Sequence, residues 1–427
     1  MWLLLVFTIL FACDSSRAAN ILYLNGIPSP SHFIWNRSLM YGLAAKGHNV
    51  TALSVDIDDK APPNVSFIQI EGVYEFMTDS DDIIDYLEMT KFTTYDMLTA
   101  FSDFCIGGCL ASLNSKGLEQ LLAYPDDFKF DLIISDFLQG PCLSPVAQHK
   151  FKYPPLVLAT GFHGLTLSTS ITGAYSYPGS IPNHEYDVPE NMNYKQRFMN
   201  FLYSHYEELL RTYHTEPTMD GLIRQIMPDI PYVADLDKNA RVVLLNSNPV
   251  IQYSESAMPN LISVGGMQIS SPKELPVDLK TVIESAENGA ILFSLGTNVR
   301  SDSLGKERIV AIVNAMAKFP QFKFLWKFES DKLPIEIPPN VYIRKWMPQN
   351  DILAHPNIKL FITHSGLLST QEAIWYGVPL IGFPIFADQN KNINYCVQQG
   401  VGIRLSIDKL NTKDLAEAIE TITSNPS

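Results

Sequence analysis

Short apolar runs rich in branched and aromatic residues recur through the first half of the chain, at Ile21 to Leu24, Val50 to Val55, Leu132 to Ile134, Leu156 to Ala159 and Val242 to Leu245. Longer stretches with helical spacing separate them, an alternation that predicts parallel strands joined by crossover helices. The alternation restarts at Ala290 to Ser294 and continues through Phe322 to Trp326, Val341 to Ile343, Lys359 to Thr363 and Pro379 to Phe383. Between the two series, residues 248–279 are rich in Pro, Ser and Gly with little periodicity, which marks a linker. The pattern predicts an α/β protein of two domains, 19–247 and 280–427, with parallel sheets that face each other and bind ligands at the carboxyl ends of their strands. Phe198, Phe201, Leu202, His205 and Leu209 recur at near-helical intervals and are expected to face the core.

Composition agrees with two cores. A chain of 427 residues exceeds what one hydrophobic core usually fills, and 46% hydrophobic residues suffice to bury two. The net charge of -14 argues against a nucleic-acid partner, which needs a basic face to displace counterions. The opening MWLLLVFTILFA is too short to cross a bilayer comfortably and precedes Ser16-Arg17-Ala18. It reads as a signal peptide over residues 1–18, with a buried first strand as the plainer alternative. No later uninterrupted apolar run reaches membrane-spanning length, so the chain as given is expected to be soluble. Sequons at Asn36, Asn49 and Asn64 are candidate glycosylation sites and agree with secretory entry. Past the leader remain Cys105, Cys109, Cys142 and Cys396, read as buried free thiols, with a Cys105–Cys109 bridge as the alternative. Neither half carries G-x-G-x-x-G behind a strand, so no nicotinamide or flavin cofactor is expected.

The chemistry concentrates where the apolar run ending at Thr363 gives way to THSGLLSTQE. A helix is expected from about Gly366 to Tyr376, closed by Gly377, and its free N–H groups make an anion site. Gly366 lets backbone approach a phosphate, Ser369 adds a hydroxyl donor, and His364 at the strand's end donates to an oxyanion. Glu372, further down the helix, suits ribose hydroxyls. Upstream, Trp346 can stack on a planar base and Gln349 can bond its edge; downstream, Asp388 and Gln389 open another helix and suit sugar hydroxyls.

Residues 346 to 389, WMPQNDILAHPNIKLFITHSGLLSTQEAIWYGVPLIGFPIFADQ, resemble the signature of the UDP-glycosyltransferase family. The resemblance implies a GT-B fold: two Rossmann-like domains, with the donor in the C-terminal one and the acceptor in the N-terminal one. It implies that Trp346 and Gln349 hold uracil, His364, Gly366 and Ser369 the diphosphate, Glu372 the ribose, and Asp388 with Gln389 the transferred sugar. Phe293-Ser294-Leu-Gly296-Thr297 is similar to the family's other donor loop, which would place Ser294 and Thr297 near the phosphates. Ser365 stands where many members have glycine, and Leu368 where many have asparagine; the double leucine is similar to insect-type members.

Transfer to a hydroxyl needs a base, which histidine serves best near neutral pH, and a carboxylate to orient it. His32 follows the first strand in a loop that ends at the sheet's carboxyl edge, a position that alone suits a structural histidine as well as a base. Asp136 follows the strand at Leu132 to Ile134 and can reach across the same edge. The S-H pair and the Asp before Phe137 resemble the family's catalytic dyad, with His32 as base and Asp136 as partner. His48 and His355 read as structural; His163 suits a loop or the acceptor cleft. Asp56-Ile-Asp58 and Asp79-Ser-Asp81 fit the metal-binding D-x-D string of a different glycosyltransferase architecture, but lie far in sequence from the nucleotide turn, and no metal is expected.

The sequence thus predicts a metal-independent, inverting transferase of the endoplasmic reticulum lumen. It would move a sugar, glucose by the insect-type pattern, from a UDP-sugar to a small lipophilic alcohol or phenol. Relatives continue into packing helices and a membrane span, so membrane association is expected only of a longer form. An inactive UDP-sugar binder is the second reading, because the chain given ends at Ser427. Oligomeric state is not legible.

Overall fold

Parallel strands β1 (Asn20–Asn25), β2 (Asn49–Ser54), β3 (Val65–Gln69), β4 (Leu132–Asp136), β5 (Leu156–Thr160), β6 (Val242–Leu245) and β7 (Leu261–Ser263) form the first sheet, in the order 3-2-1-4-5-6-7. A second all-parallel sheet combines β8 (Ala290–Ser294), β9 (Lys323–Lys327), β10 (Val341–Arg344), β11 (Ile358–Thr363), β12 (Leu380–Gly382) and β13 (Gly402–Arg404), in the order 10-9-8-11-12-13. The computed structural model describes residues 18–79, 86–164, 166–249, 251 and 258–424; the expected leader lies almost wholly outside them, and Asp79-Ser-Asp81 partly so. The central strands are buried along nearly their whole length, β8 at every position, because helices cover both faces of each sheet.

Strand order reverses between β1 and β4 in the first sheet and between β8 and β11 in the second. At such a reversal the crossover helices leave toward opposite faces, and a crevice opens at the strands' carboxyl ends. Both crevices give onto one cavity of about 1030 Å³ between the domains. The helix Pro30–Ala45, with Pro30 opening its first turn and Gly47 at φ +90° after its end, carries His32 into that space.

The structure corrects several expectations. β3, β7 and β13 are short edge or near-edge strands whose sequences lack a sustained apolar run, and β7 puts a strand of the first sheet inside the expected linker. The helix Tyr194–Leu210 does not turn its apolar stripe inward: Phe198, Phe201 and Leu209 are exposed, and the buried positions are Asn200 and Ser204. Asn200 sets that rotation, since its amide donates to the carbonyls of Pro178 and Ile181 and accepts from Asn183 N–H at 2.7 Å. Cys109 bonds to Cys142, joining the helix Thr94–Leu113 to the start of the helix Leu143–Lys150, while Cys105 and Cys396 stay free and buried. The Cys109–Cys142 bridge replaces the free thiols expected at both positions. The helix Thr94–Leu113 is long and apolar enough to cross a membrane, although polar residues interrupt its apolar run; half of its apolar window is buried within this domain.

Candidate active site

His32 and Asp136 meet at the first switch point. His32 Nδ1 lies 2.9 Å from Asp136 Oδ2, with both side chains buried. Asn36, one turn after His32, donates to the same oxygen at 2.8 Å, and Leu138 N–H donates to Oδ1 at 3.1 Å. Tyr23 donates its hydroxyl to Asn36 Oδ1 at 2.7 Å and so fixes which way that amide points. Asp136 is the last residue of β4 and stands behind the ring, while His32 itself lines the cavity. With Nδ1 held by the carboxylate, Nε2 is the nitrogen left to take a proton. Gly161 stands close enough that a Cβ there would sit 3.3 Å from His32 Nδ1, and the Phe162 ring lies 5.3 Å from the imidazole.

Asn36 is fully buried and bonded to the dyad, so it cannot be a glycosylation acceptor on the folded protein. Asn64 spends its amide on the carbonyls of Ala44 and His48, which a glycan on that nitrogen would disrupt. Asn49 is exposed, and its side-chain amide donates to Asn20 Oδ1 at 3.2 Å.

The second switch point has the geometry expected of an anion site. The helix Leu367–Trp375 starts at Gly366 with no side-chain cap, leaving its first N–H groups free to meet a ligand. His364 sits between two glycines: a Cβ on Gly296 would come 2.4 Å from its Cε1, and one on Gly366 2.5 Å from its Nε2. Burial, and then the neighbouring Lys327 ammonium, pull the imidazole down to about 4, so it is neutral at physiological pH and donates one N–H. Ser365, between them, adopts φ +66°, a left-handed conformation that explains why glycine is common at that position in the family pattern.

Around this turn Gln349 donates to Ser369 Oγ at 3.1 Å and to Glu372 Oε2 at 2.8 Å, which ties three expected donor-binding residues together. Burial raises Glu372 to about 7, against the Gln349 hydrogen bond. Trp346 is 60% exposed, its indole open to a planar partner. Asp388 stands at the start of the helix Gln389–Gln398, raised to about 6 by burial. Gln389 Oε1 accepts from the N–H groups of Ile385 and Phe386, at 2.8 and 3.3 Å, which leaves its amide nitrogen to donate elsewhere. Ser294, Thr297, Trp346, Gln349, His364, Gly366, Ser369, Glu372, Asp388 and Gln389 all line the cavity that His32 lines.

Other sequence candidates fall outside it. His48 accepts from Ala19 N–H and His355 from Asn357 N–H, both structural roles as expected. His163 is buried behind the cavity wall, its charged form disfavoured chiefly by burial. Asp58 pairs with Arg37 and Tyr41, and Asp56 accepts from Tyr74. Sequence reasoning missed Lys327, at the carboxyl end of β9, whose ammonium donates to Gly296 O at 2.9 Å and pairs with Glu329 at 2.6 Å. A charged residue directly after the apolar run Phe324-Leu-Trp326 was the available signal. It also missed Glu185, on a loop without periodicity.

The domains touch beside the cavity: Asn298 Nδ2 donates to Ser29 Oγ at 3.3 Å, Gln371 donates to Asn246 at 2.9 Å, and the Tyr86 and Phe386 rings stack at 4.9 Å. Comparison with solved structures bears out the GT-B arrangement: CalG4, the calicheamicin glycosyltransferase, superposes with a TM-score of 0.61 at 17% identity, over 96% of this chain and 90% of that one. In sequence the chain is similar to UDP-glucosyltransferase 2 of Dactylopius coccus, 29% identical over 100% of this chain and 81% of that relative. It is equally similar to UDP-glucuronosyltransferase 2B17 of Rattus norvegicus, 29% identical over 93% and 76%. The family model for UDP-glucoronosyl and UDP-glucosyl transferase matches residues 28–427, and the chain belongs to that family.

Proposed function

We propose that this UDP-sugar glycosyltransferase moves glucose to the hydroxyl of a small lipophilic alcohol or phenol, with inversion and without a metal. The supporting observation is the facing of two switch points across one cavity, the His32–Asp136 pair on one side and the uncapped helix start at Gly366 on the other.

In this reading Trp346 stacks on uracil, Glu372 takes the ribose, and Gly366, Ser369 and neutral His364 donate to the diphosphate. The acceptor oxygen attacks the anomeric carbon from the side opposite UDP while the bond from that carbon to the phosphate oxygen breaks, so one displacement inverts the centre. The acceptor's proton passes to His32 Nε2, and the Asp136 carboxylate balances the imidazolium that forms. The electron pair of the broken bond leaves on the β-phosphate, where the helix N-terminus and the His364 N–H stabilise it. Phe76, Met89, Phe92, Phe101, Phe104 and Phe162 give the acceptor end an apolar wall suited to a lipophilic ring. The Cys109–Cys142 disulfide supports an oxidising compartment, in keeping with the lumen of the endoplasmic reticulum.

UDP release with a phenolic acceptor tests the assignment. The His32→Ala variant is expected to lose about 10²- to 10⁴-fold in kcat while UDP affinity stays within about twofold. Undiminished turnover in that variant would remove His32 from the mechanism.

A further inference from the structure

The segment between the helix Thr166–Thr172 and the helix Tyr194–Leu210 carries Glu185 into the cleft. Glu185 lines the cavity with His32, Asp388 and Gln389, and its side chain is only 4% exposed. Its carboxyl group lies beside the backbone N–H of Ala387, close enough to Asp388 for that carboxylate's charge to act on it. The two acids come from different domains. Chain chemistry holds them together: Asp187, two residues on, pairs with Arg404 through both oxygens, at 2.7 and 2.6 Å, and accepts from Asn394 at 3.0 Å. Behind the loop, Asn200 holds the carbonyls of Pro178 and Ile181, and Glu207 accepts from Asn183 at 2.6 Å.

We propose that Glu185 is a specificity-determining residue of the donor site, where with Asp388 it contacts the transferred sugar and selects a neutral hexose against a hexuronate. The inference rests on the reading that Asp388 and Gln389 hold that sugar. A pyranose offers several hydroxyls, each able to donate to one carboxyl group and accept from another, so a pair of acids with the free Gln389 amide meets a neutral ring well. A hexuronate brings a third carboxyl group into the same enclosed space, where like charges are poorly screened.

The cations at hand do not offset it. Among the described residues that line the cavity, Arg37 is paired with Asp58, Lys327 with Glu329 beside the diphosphate turn, and Lys273 is exposed near Asp351 at the base end. Lys391 is buried and does not line the cavity, so it does not meet a hexuronate directly; its charge favours ionised Asp388 and disfavours charged His163 and His184. His184 stands 3.7 Å from Glu185, and burial holds it toward its neutral form. Burial, then Asp388 and Glu207, raise Glu185 itself to about 8, and burial raises Asp388 to about 6, so at pH 7 Glu185 is largely a neutral donor beside ionised Asp388, and above about pH 8 it adds a second negative charge to the pocket.

Calorimetric binding of UDP, UDP-glucose and UDP-glucuronate to the full chain at pH 9, where Glu185 and Asp388 are both ionised, tests this and does not depend on turnover. Wild type is expected to bind UDP-glucose at least about tenfold more tightly than UDP-glucuronate. Glu185→Gln should narrow that ratio to about threefold by strengthening UDP-glucuronate, with UDP itself unchanged. Asp187→Asn, which frees the loop without touching the sugar, should narrow it by weakening UDP-glucose instead, and serves if Glu185→Gln does not fold. Equal affinities in wild type, or a ratio that neither variant moves while UDP still binds, overturns the proposal alone. Failure of wild type to bind UDP would overturn the donor-site reading with it.

Discussion

At the first switch point the Asp136 carboxylate accepts from His32, Asn36 and Leu138, and Tyr23 locks Asn36 in turn, whereas at the second the helix start at Gly366 has no cap. The same topological device is thus finished in two ways. A proton-transfer group must arrive at the reaction in one tautomer and one orientation, so its bonds are satisfied from within the fold. An anion site must keep donors in reserve for an oxyanion that comes and goes, so its bonds are completed by the ligand.

The largest test of this contrast is at the saturated end. In Asp136→Asn the amide oxygen can keep facing His32 and Asn36 only by turning its NH2 toward Leu138 N–H, a donor facing a donor; the reverse choice presents the NH2 to His32 and favours the wrong tautomer. Either way kcat should fall about 10²- to 10⁴-fold, while UDP affinity at the other switch point stays within about twofold. Stopped-flow turnover with parallel calorimetry reads both. A matching loss of UDP affinity would show that the two switch points are not separable.

A smaller effect is expected at the open end. Gly366 has ordinary backbone geometry, φ -59°, so Gly366→Ala strains nothing by itself; its Cβ would meet His364 at 2.5 Å and push the ring off the phosphate position. UDP affinity should drop about 10- to 100-fold, the value of one or two charge-assisted hydrogen bonds, and kcat at saturating donor should change less. Calorimetric UDP titration decides it, since an unchanged dissociation constant would mean that His364 does not touch the diphosphate.

The contrast also explains what the sequence reveals. The donor end is legible because Trp346 to Gln389 lie within one continuous stretch, on consecutive strand-to-helix turns whose local spacing is the site's geometry. The dyad spans 104 residues, so only the resemblance to a family pattern raises His32 and Asp136 above ordinary loop residues. Asn36 looks like a surface sequon because nothing local announces that the Tyr23 hydroxyl and Asp136 will bury it. Glu185 is invisible for the same reason, being placed by Asn200, Glu207 and Arg404, which are remote or on the other domain. The stripe at Phe198 to Leu209 misleads because the hydrogen bonds of Asn200, which periodicity does not weigh, set how its helix is turned.

Ser365 gives the smallest effect and the finest test of the comparison. Its φ of +66° is one that a glycine adopts freely, and its fully buried hydroxyl has no partner, while Gly382 must lack a side chain to make room for it, since a Cβ there would fall 2.2 Å from Ser365 Oγ. Both features cost free energy at the open switch point, and neither has a counterpart in the bonded carboxylate of the first. Ser365→Gly removes the left-handed strain and the unpaired hydroxyl together, at the expense of a more flexible unfolded chain, for a net gain of about 1 kcal/mol. In a domain of this size that raises Tm by about 2–4 °C, measurable by differential scanning calorimetry. A fall in Tm would mean that the hydroxyl is bonded in solution, and that the turn holding His364 is better satisfied than its uncapped helix suggests.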